Sequence, residues 1–564
     1  MKTAKKLLFA LFFLSVLVFA IPTYAQEDWN SLASSRRRDI DAYLKTHLDA
    51  FEAFDFGSLG DATLEMIPYV VFRVLQELEP EVFSDSALAS VGFYERTDAP
   101  SRLNGINWTT PIQAKGDYRL RYMSRSCASC HAGRVRLEDG STHLLVGSAN
   151  TEMNLHLFIG RLTSLFQERL GPNNESEAYL AFRTKIAEAL DKHPPEWYWG
   201  KTELVSSEDA AREIGVTKSN LDNVLSLMRQ MNVRRLAGLD VLSRHSYNAV
   251  SNAPDLKVGA PGLVETSGLG STSLVSLVGE DKASLVLPPG PSMADIPAVW
   301  MIDANGFANW DGTVVGFSRS LTSSLAVVGD PTKINLKTNS VIQNFISKLP
   351  ATPYPFPIDD ESRLRGASVF EKNCAGCHSP SSNHVREVFD VGSDARRSNA
   401  VQPTTVKMME KVLRLACPPT QTEFVLSDPP LIDPSSNRGY VASALHGIWA
   451  QAPYLHNGSV PTLRHLLTPA LRNNERFIRG SISYDQADGG WEWDPKKLPE
   501  LQAKGDNAVV LHDINKAGFS NSGHGSQANP FVLDRKGNRV RIAWTDSEAD
   551  RKVVNDLIAY LLSL

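Results

Sequence analysis

R-S-C-A-S-C-H-A-G, residues 125–133, sets two cysteines three positions apart with a histidine directly after the second. E-K-N-C-A-G-C-H-S-P, residues 371–380, repeats the arrangement as Cys374, Cys377 and His378. The chain of 564 residues has five cysteines, and only Cys417 lies outside these two units. Three chemistries use a C-x-x-C pair. A thioredoxin-like site would open a βα segment and would leave the following histidine without a role. A zinc ribbon needs two pairs converging on one metal, typically close in sequence, whereas these lie far apart and each brings its own histidine. Covalent haem attachment uses every residue. The two thiols bond the haem vinyl groups, and one helical turn carries the next imidazole beneath the iron. The units therefore predict two c-type haems, attached through Cys127 and Cys130 and through Cys374 and Cys377, with His131 and His378 as proximal ligands. Cys417, in R-L-A-C-P-P-T, reads as a buried free thiol.

The second unit sits in a readable frame. A-T-P-Y-P-F-P-I-D-D (351–360) is proline-rich and suits an extended linker. The following E-S-R-L-R-G-A-S-V-F-E-K-N predicts a short helix ahead of the haem site, with Gly366 and Phe370 on it. At the far end, Thr545 and Glu548 match a capping box, and Val553, Val554, Leu557, Ile558, Leu561 and Leu562 follow helical spacing. A helix before the haem and one packed across it are the parts of a small cytochrome c fold, so 358–564 is expected to be such a domain with a long insertion. Helical patterns also flank the first unit, in S-R-R-R-D-I-D-A-Y-L-K-T-H-L-D-A-F-E-A-F, near 63–78, and after 147. Residues 254–292 read as loop and short strands. Their T-S-G-L-G-S-T-S lacks the third glycine and the following helix of a nucleotide site. The expected fold is mainly α: two cytochrome c-like haem domains with long loop-rich insertions and few short strands. The expected divisions are a helical extension at 26–118, an N-terminal haem domain at 119–350 and the C-terminal domain at 358–564.

Residues 1–25 join a basic start, an apolar stretch and a small-residue cleavage site at Ala25, the pattern of a secretory signal peptide. The apolar stretch is shorter than the roughly 20 residues of a spanning helix, and no later segment is long and apolar enough to span. A periplasmic or secreted protein is expected. A net charge of −5 argues against nucleic acid as a partner.

The sixth ligands decide the chemistry, because an iron closed by two protein ligands passes electrons and one with an open side can react. The C-terminal region offers His384, His446, His456, His465, His512, His524, Met408 and Met409. Two contexts stand out: A-L-H-G-I-W-A-Q-A-P-Y-L-H-N-G-S-V-P-T-L (444–463), and G-F-S-N-S-G-H-G-S-Q (518–527), where His524 stands among small residues. Around the first unit the candidates are His143, His156, Met123 and Met153, each better read as structural.

Both C-x-x-C-H units, the W-A-Q-A-P-Y-L-H-N-G-S-V-P-T-L run and the N-S-G-H loop before the last helix resemble the dihaem c-type proteins of the bacterial cytochrome c peroxidase superfamily, in its rubber-oxygenase-like branch. D-I-P-A-V-W-M-I-D-A-N-G-F-A-N-W-D-G (295–312) and F-D-V-G-S-D-A-R-R (389–397) fit that branch too. The resemblance implies that His524 is the distal ligand of the C-terminal haem, which then serves electron transfer. It makes the His131 haem the reactive one, with Trp300, Phe307 and Trp310 lining its distal pocket and His456 packing near a haem. The implied activity is oxygenation of an alkene or polymer substrate by dioxygen. Three alternatives stay open. One is a peroxidase reducing hydrogen peroxide with electrons from a small redox protein, for which Met408 or Met409 would be the second ligand. Another is an electron carrier. The third is a protein-modifying oxidase in which Tyr454 caps an iron.

Overall fold

The computed structural model describes residues 28–564, apart from 62, 97–101, 110, 114–117, 200–204, 267–274, 276–277, 303–306, 379–387, 429, 433–438 and 474. The expected signal peptide, most of the glycine-rich turn and His384 lie outside the described residues, as does the side chain of Phe307.

The fold is mainly α, and among the described residues the strands pair only two at a time. Two helices frame the second C-x-x-C-H unit. Asp360–Asn373 starts on Asp359, whose carboxylate accepts the Ser362 N–H, and runs directly into Cys374. It crosses Glu548–Leu562 at Gly366, where an added Cβ would stand 1.9 Å from the Asp556 carbonyl oxygen. Only glycine permits that approach. Arg365 grips Asp556 through two hydrogen bonds of 2.9 and 3.0 Å, and the Phe370 and Tyr560 rings meet at 5.1 Å. The last helix buries Val554, Leu557, Ile558, Leu561 and Leu562 along its predicted stripe. Its cap differs from the expectation. Ser547 accepts the Asp550 N–H, while the Thr545 hydroxyl bonds the Asp550 carboxylate. S-x-x-D and T-x-x-E overlap here by two residues, and the helix begins after the serine.

The first helix among the described residues, Trp29–Thr46, docks on the other end of the chain. The Trp29 N–H groups donate to the Asp360 carboxylate and, from the indole, to the Phe356 carbonyl at 3.1 Å. Arg36 reaches the Ser563 carbonyl at 2.6 Å. The proline-rich stretch at 351–360 is extended, but Tyr354 and Phe356 are buried in a ring cluster with Trp449, Tyr484 and Trp491. It is a packed strut.

One core runs from Trp29 through Val146, Trp300 and Trp449 to Leu562. A second lies among Tyr69–Leu78, Leu155–Leu170, Glu177–Lys192 and Leu221–Leu242. The first C-x-x-C-H unit stands at their seam, with Cys127 packed on the first core and Cys130 on the second. A hairpin of Ala132–Arg136 and Thr142–Val146 follows His131 directly. Leu263–Glu265 pairs with Met293–Asp295, which aims the chain at Pro297.

Candidate functional site

Each unit is a single helical turn, Ala128–His131 and Ala375–His378. The first closes on a hydrogen bond from the His131 N–H to the Cys127 carbonyl at 3.0 Å, the second from His378 to Cys374 at 2.9 Å. Residues i, i+3 and i+4 share a helix face, so both thiols and the imidazole of each unit point the same way. No disulfide joins any two of the five cysteines. Burial pushes the Cys127 and Cys374 thiols up to about 12 and the His131 imidazole down to about 4. These groups are set deep in the fold, yet each keeps one face partly accessible, as residues lining a recess do.

The two imidazoles are oriented identically. His131 Nδ1 lies 3.0 Å from the Pro297 carbonyl, and His378 Nδ1 lies 2.9 Å from the Ser443 carbonyl. A carbonyl can only accept, so Nδ1 carries the proton in both rings and Nε2 keeps its lone pair. That is the tautomer a metal-binding histidine needs, held by the hydrogen bond that fixes it.

His524 faces His378. Their ring centroids are 6.4 Å apart, with 41° between the planes. Two imidazoles bound on opposite sides of one metal, each at about 2 Å, bring their centroids to roughly 6 Å. The spacing therefore fits one iron between them. The His524 backbone adopts φ +52°, a left-handed conformation that costs a residue with a side chain roughly 1–3 kcal/mol. Its neighbours explain how it is held. Gly523 (φ +107°) lies against Ser393, where a Cβ would meet backbone at 2.7 Å, and a Cβ on Gly525 (φ +84°) would be 2.9 Å from Ala543. The His524 N–H donates to the Val391 carbonyl at 2.9 Å. Residues 391–393 of the F-D-V-G-S-D-A-R-R run thus form the wall on which the histidine loop rests.

A short path links the two proximal histidines. From Pro297 the chain leads back to Asp295, whose carbonyl accepts the Trp310 indole N–H at 2.8 Å. The Trp310 carbonyl accepts the Val441 N–H at 2.8 Å, and two residues on, Ser443 holds His378. The Asp295 carboxylate is paired with Arg479, which also donates to the Pro261 and Gly458 carbonyls, and Arg397 pairs with Asp311 at 2.6 Å. Both ion pairs are buried beside the path.

Over 431 residues the chain is 31% identical to the uncharacterized protein y4iM of Sinorhizobium fredii, covering 68% of this chain and 98% of that protein. The chain belongs to the y4iM family. A second uncharacterized protein of the same organism, y4iJ, is 23% identical over 513 residues, 78% of each chain. Residues 51–131 match the Y4iN-like domain and end on His131. Residues 439–477 match the family described as RoxA-like, cytochrome c-like. That segment contains Ser443, the carbonyl partner of His378. A cytochrome c-like segment implies haem c, and the geometry of both units fits it.

The remaining sequence candidates are placed as follows. Trp300 is buried at 3% exposure, donates its indole N–H to the Val146 carbonyl at 2.7 Å and lies against Gly147 and Gly447. Trp310 is half-buried in the path described. His456 is buried and stacked on Tyr440, with centroids 3.8 Å apart. His156 accepts the Glu265 N–H at 2.8 Å, a structural contact, and His143 is exposed. Met123 and Met153 belong to the second core, and Met409 packs on the first from the Pro403–Ala416 helix that also carries Met408. The Tyr454 hydroxyl donates to the Ile448 and Gly489 carbonyls. Cys417 is buried and donates to the Phe424 carbonyl. Sequence reasoning did not single out Pro297, Ser443, Val391 or Arg472. The first three act through backbone carbonyls, which leave no side-chain signature.

Proposed function

We propose that the chain is an exported dihaem c-type oxidoreductase whose two haems divide the work. The C-terminal haem, held by Cys374, Cys377, His378 and His524, passes electrons. The N-terminal haem, held by Cys127, Cys130 and His131, is the reactive one, and the activity is oxygenation of an alkene or polyisoprene-like substrate by dioxygen. The observation that carries this division is an asymmetry. His524 faces His378 at ligand spacing, while among the described residues no second imidazole is in ring contact with His131.

A bound haem supplies one-electron chemistry and, where an axial position is open, activation of dioxygen or peroxide. The chain supplies the rest. The Pro297 and Ser443 carbonyls hold the protons on Nδ1 of His131 and His378. The Val391 carbonyl fixes the His524 backbone. The Asp295–Trp310–Val441 hydrogen bonds join the two proximal sides through a tryptophan, which supports electron exchange between them. Among the described residues no helix is long and apolar enough to cross a membrane. The cytochrome c-like segment supports haem chemistry as such.

The test is oxygen uptake by the holoprotein with alkenes and a polyisoprene substrate, run beside peroxide turnover with a reduced small cytochrome. Substrate-dependent oxygen uptake is expected. Peroxide turnover without any oxygen uptake would replace this reading with a peroxidase. An EPR spectrum of the ferric protein with one low-spin and one high-spin signal is the expected resting signature.

A further inference from the structure

The His524 loop rests on Val391 on one side, and on the other it is held by a charged group. Arg472 follows the short Leu463–Leu467 helix and the Pro469–Leu471 turn. Its guanidinium donates to four carbonyls and to no side chain. Two belong to the helix: His465, reached by Nε at 2.8 Å, and Leu466, reached by Nη2 at 2.6 Å. Two belong to the loop: Asn521 at 2.9 Å and Gly523 at 2.8 Å, both from Nη1. The Asn521 side chain returns a hydrogen bond to the Arg472 carbonyl at 3.0 Å. Among the described residues no carboxylate pairs with Arg472. Gly523, whose carbonyl it holds, immediately precedes His524.

A guanidinium directed only at carbonyls satisfies its hydrogen bonds but leaves its charge uncompensated. Burial depresses the Arg472 pKa to about 10, still far above neutrality, so the cation persists. Its Nη1 is bonded to the carbonyl of Gly523, so the charge sits one residue from His524. A fixed positive charge beside an iron ligand disfavours the more highly charged ferric state, because net charge and burial set haem potentials.

We propose that Arg472 is a positioning residue for the second ligand of the C-terminal haem and that its uncompensated charge raises the reduction potential of that haem. The inference rests on the reading of His524 as that ligand and adds the group that holds and tunes it. Lysine could replace the charge but not the four-way fork. Charge and positioning can therefore be separated.

The experiment uses the holoprotein with Arg472→Gln, Arg472→Lys and His524→Gly. The low-spin EPR signal and the midpoint potential followed through it are the readouts. His524→Gly is expected to abolish or shift the low-spin signal. If it leaves that signal unchanged, the ligand reading fails and the proposal with it, whatever the Arg472 variants do. Arg472→Gln should lower the midpoint and broaden the low-spin signal. Arg472→Lys should keep the midpoint close to wild type and still broaden the signal. A His524-dependent signal with wild-type potential and line shape in Arg472→Gln would overturn the proposal. Should Arg472→Gln fail to fold, Arg472→Lys decides. A wild-type line shape there removes the positioning role, and a midpoint lowered despite the retained charge removes the electrostatic one.

Discussion

Replacing Gly366 by alanine tests whether the helix crossing beside the second haem unit is as close as described. A new Cβ would lie 1.9 Å from the Asp556 carbonyl oxygen, 2.6 Å from its carbonyl carbon and 2.9 Å from Tyr560 Cβ. An ordinary C···O separation is about 3.3 Å, so the helices must part by more than about 1 Å. Two of the three contacts are backbone and cannot swing aside. Overpacking of this kind costs about 1–3 kcal/mol, and drawing Phe370 off Tyr560 adds about 0.5–1.5 kcal/mol. Alanine returns up to about 1 kcal/mol through helix propensity. The net effect is a loss of roughly 0.5–3.5 kcal/mol. Gly215, in the Ser207–Ser219 helix, is the matched control, because an added Cβ there meets nothing within 4 Å. Gly215→Ala should stabilise by about 0.5–1 kcal/mol. Chemical denaturation of both holoproteins, with hydrogen exchange read over Glu548–Leu562, separates the two signs. Gly366→Ala at or above wild-type stability would refute the crossing.

Other perturbations probe different joints. Trp29→Ala removes a buried indole and its bond to the Phe356 carbonyl. It should cost about 3–5 kcal/mol locally and free the first helix, so that protease cleaves within S-R-R-R-D while the wild-type chain resists. Equal resistance in the variant would show that this helix is not docked. Stability should also fall on acidification. Burial holds His456 at about 3 and His465 at about 4, against 6.5 for a free imidazole. Both folded values lie below the unfolded one, so the unfolded chain takes up protons first. Their contribution is complete above pH 6.5 and is lost as pH falls toward 4, at up to about 2.7 kcal/mol per pH unit for the two together. Denaturation midpoints between pH 6.5 and 4.5 that do not move would contradict the buried, neutral state of these rings.

What sequence alone determined here is local chemistry. The C-x-x-C-H spacing is meaningful within a single helical turn, because residues i, i+3 and i+4 converge without help from the rest of the chain. The stripe on the last helix was legible for the same reason, its periodicity being a property of one helix, whereas the need for glycine at 366 comes from the Asp556 carbonyl of another helix. Tertiary structure decided how these pieces meet. Packing of Tyr354 and Phe356 turned the proline-rich stretch from a tether into part of a shared core, and aromatic burial of that kind depends on residues about a hundred positions away. The partners of His131, His378 and His524 are the carbonyls of Pro297, Ser443 and Val391, and every residue carries a carbonyl. No pattern of side chains could have marked those three. Arg472 is the sharpest case. As one arginine among many it is unremarked in sequence, and its role follows only from which four carbonyls the fold aims at it and from the absence of a pairing carboxylate among the described residues.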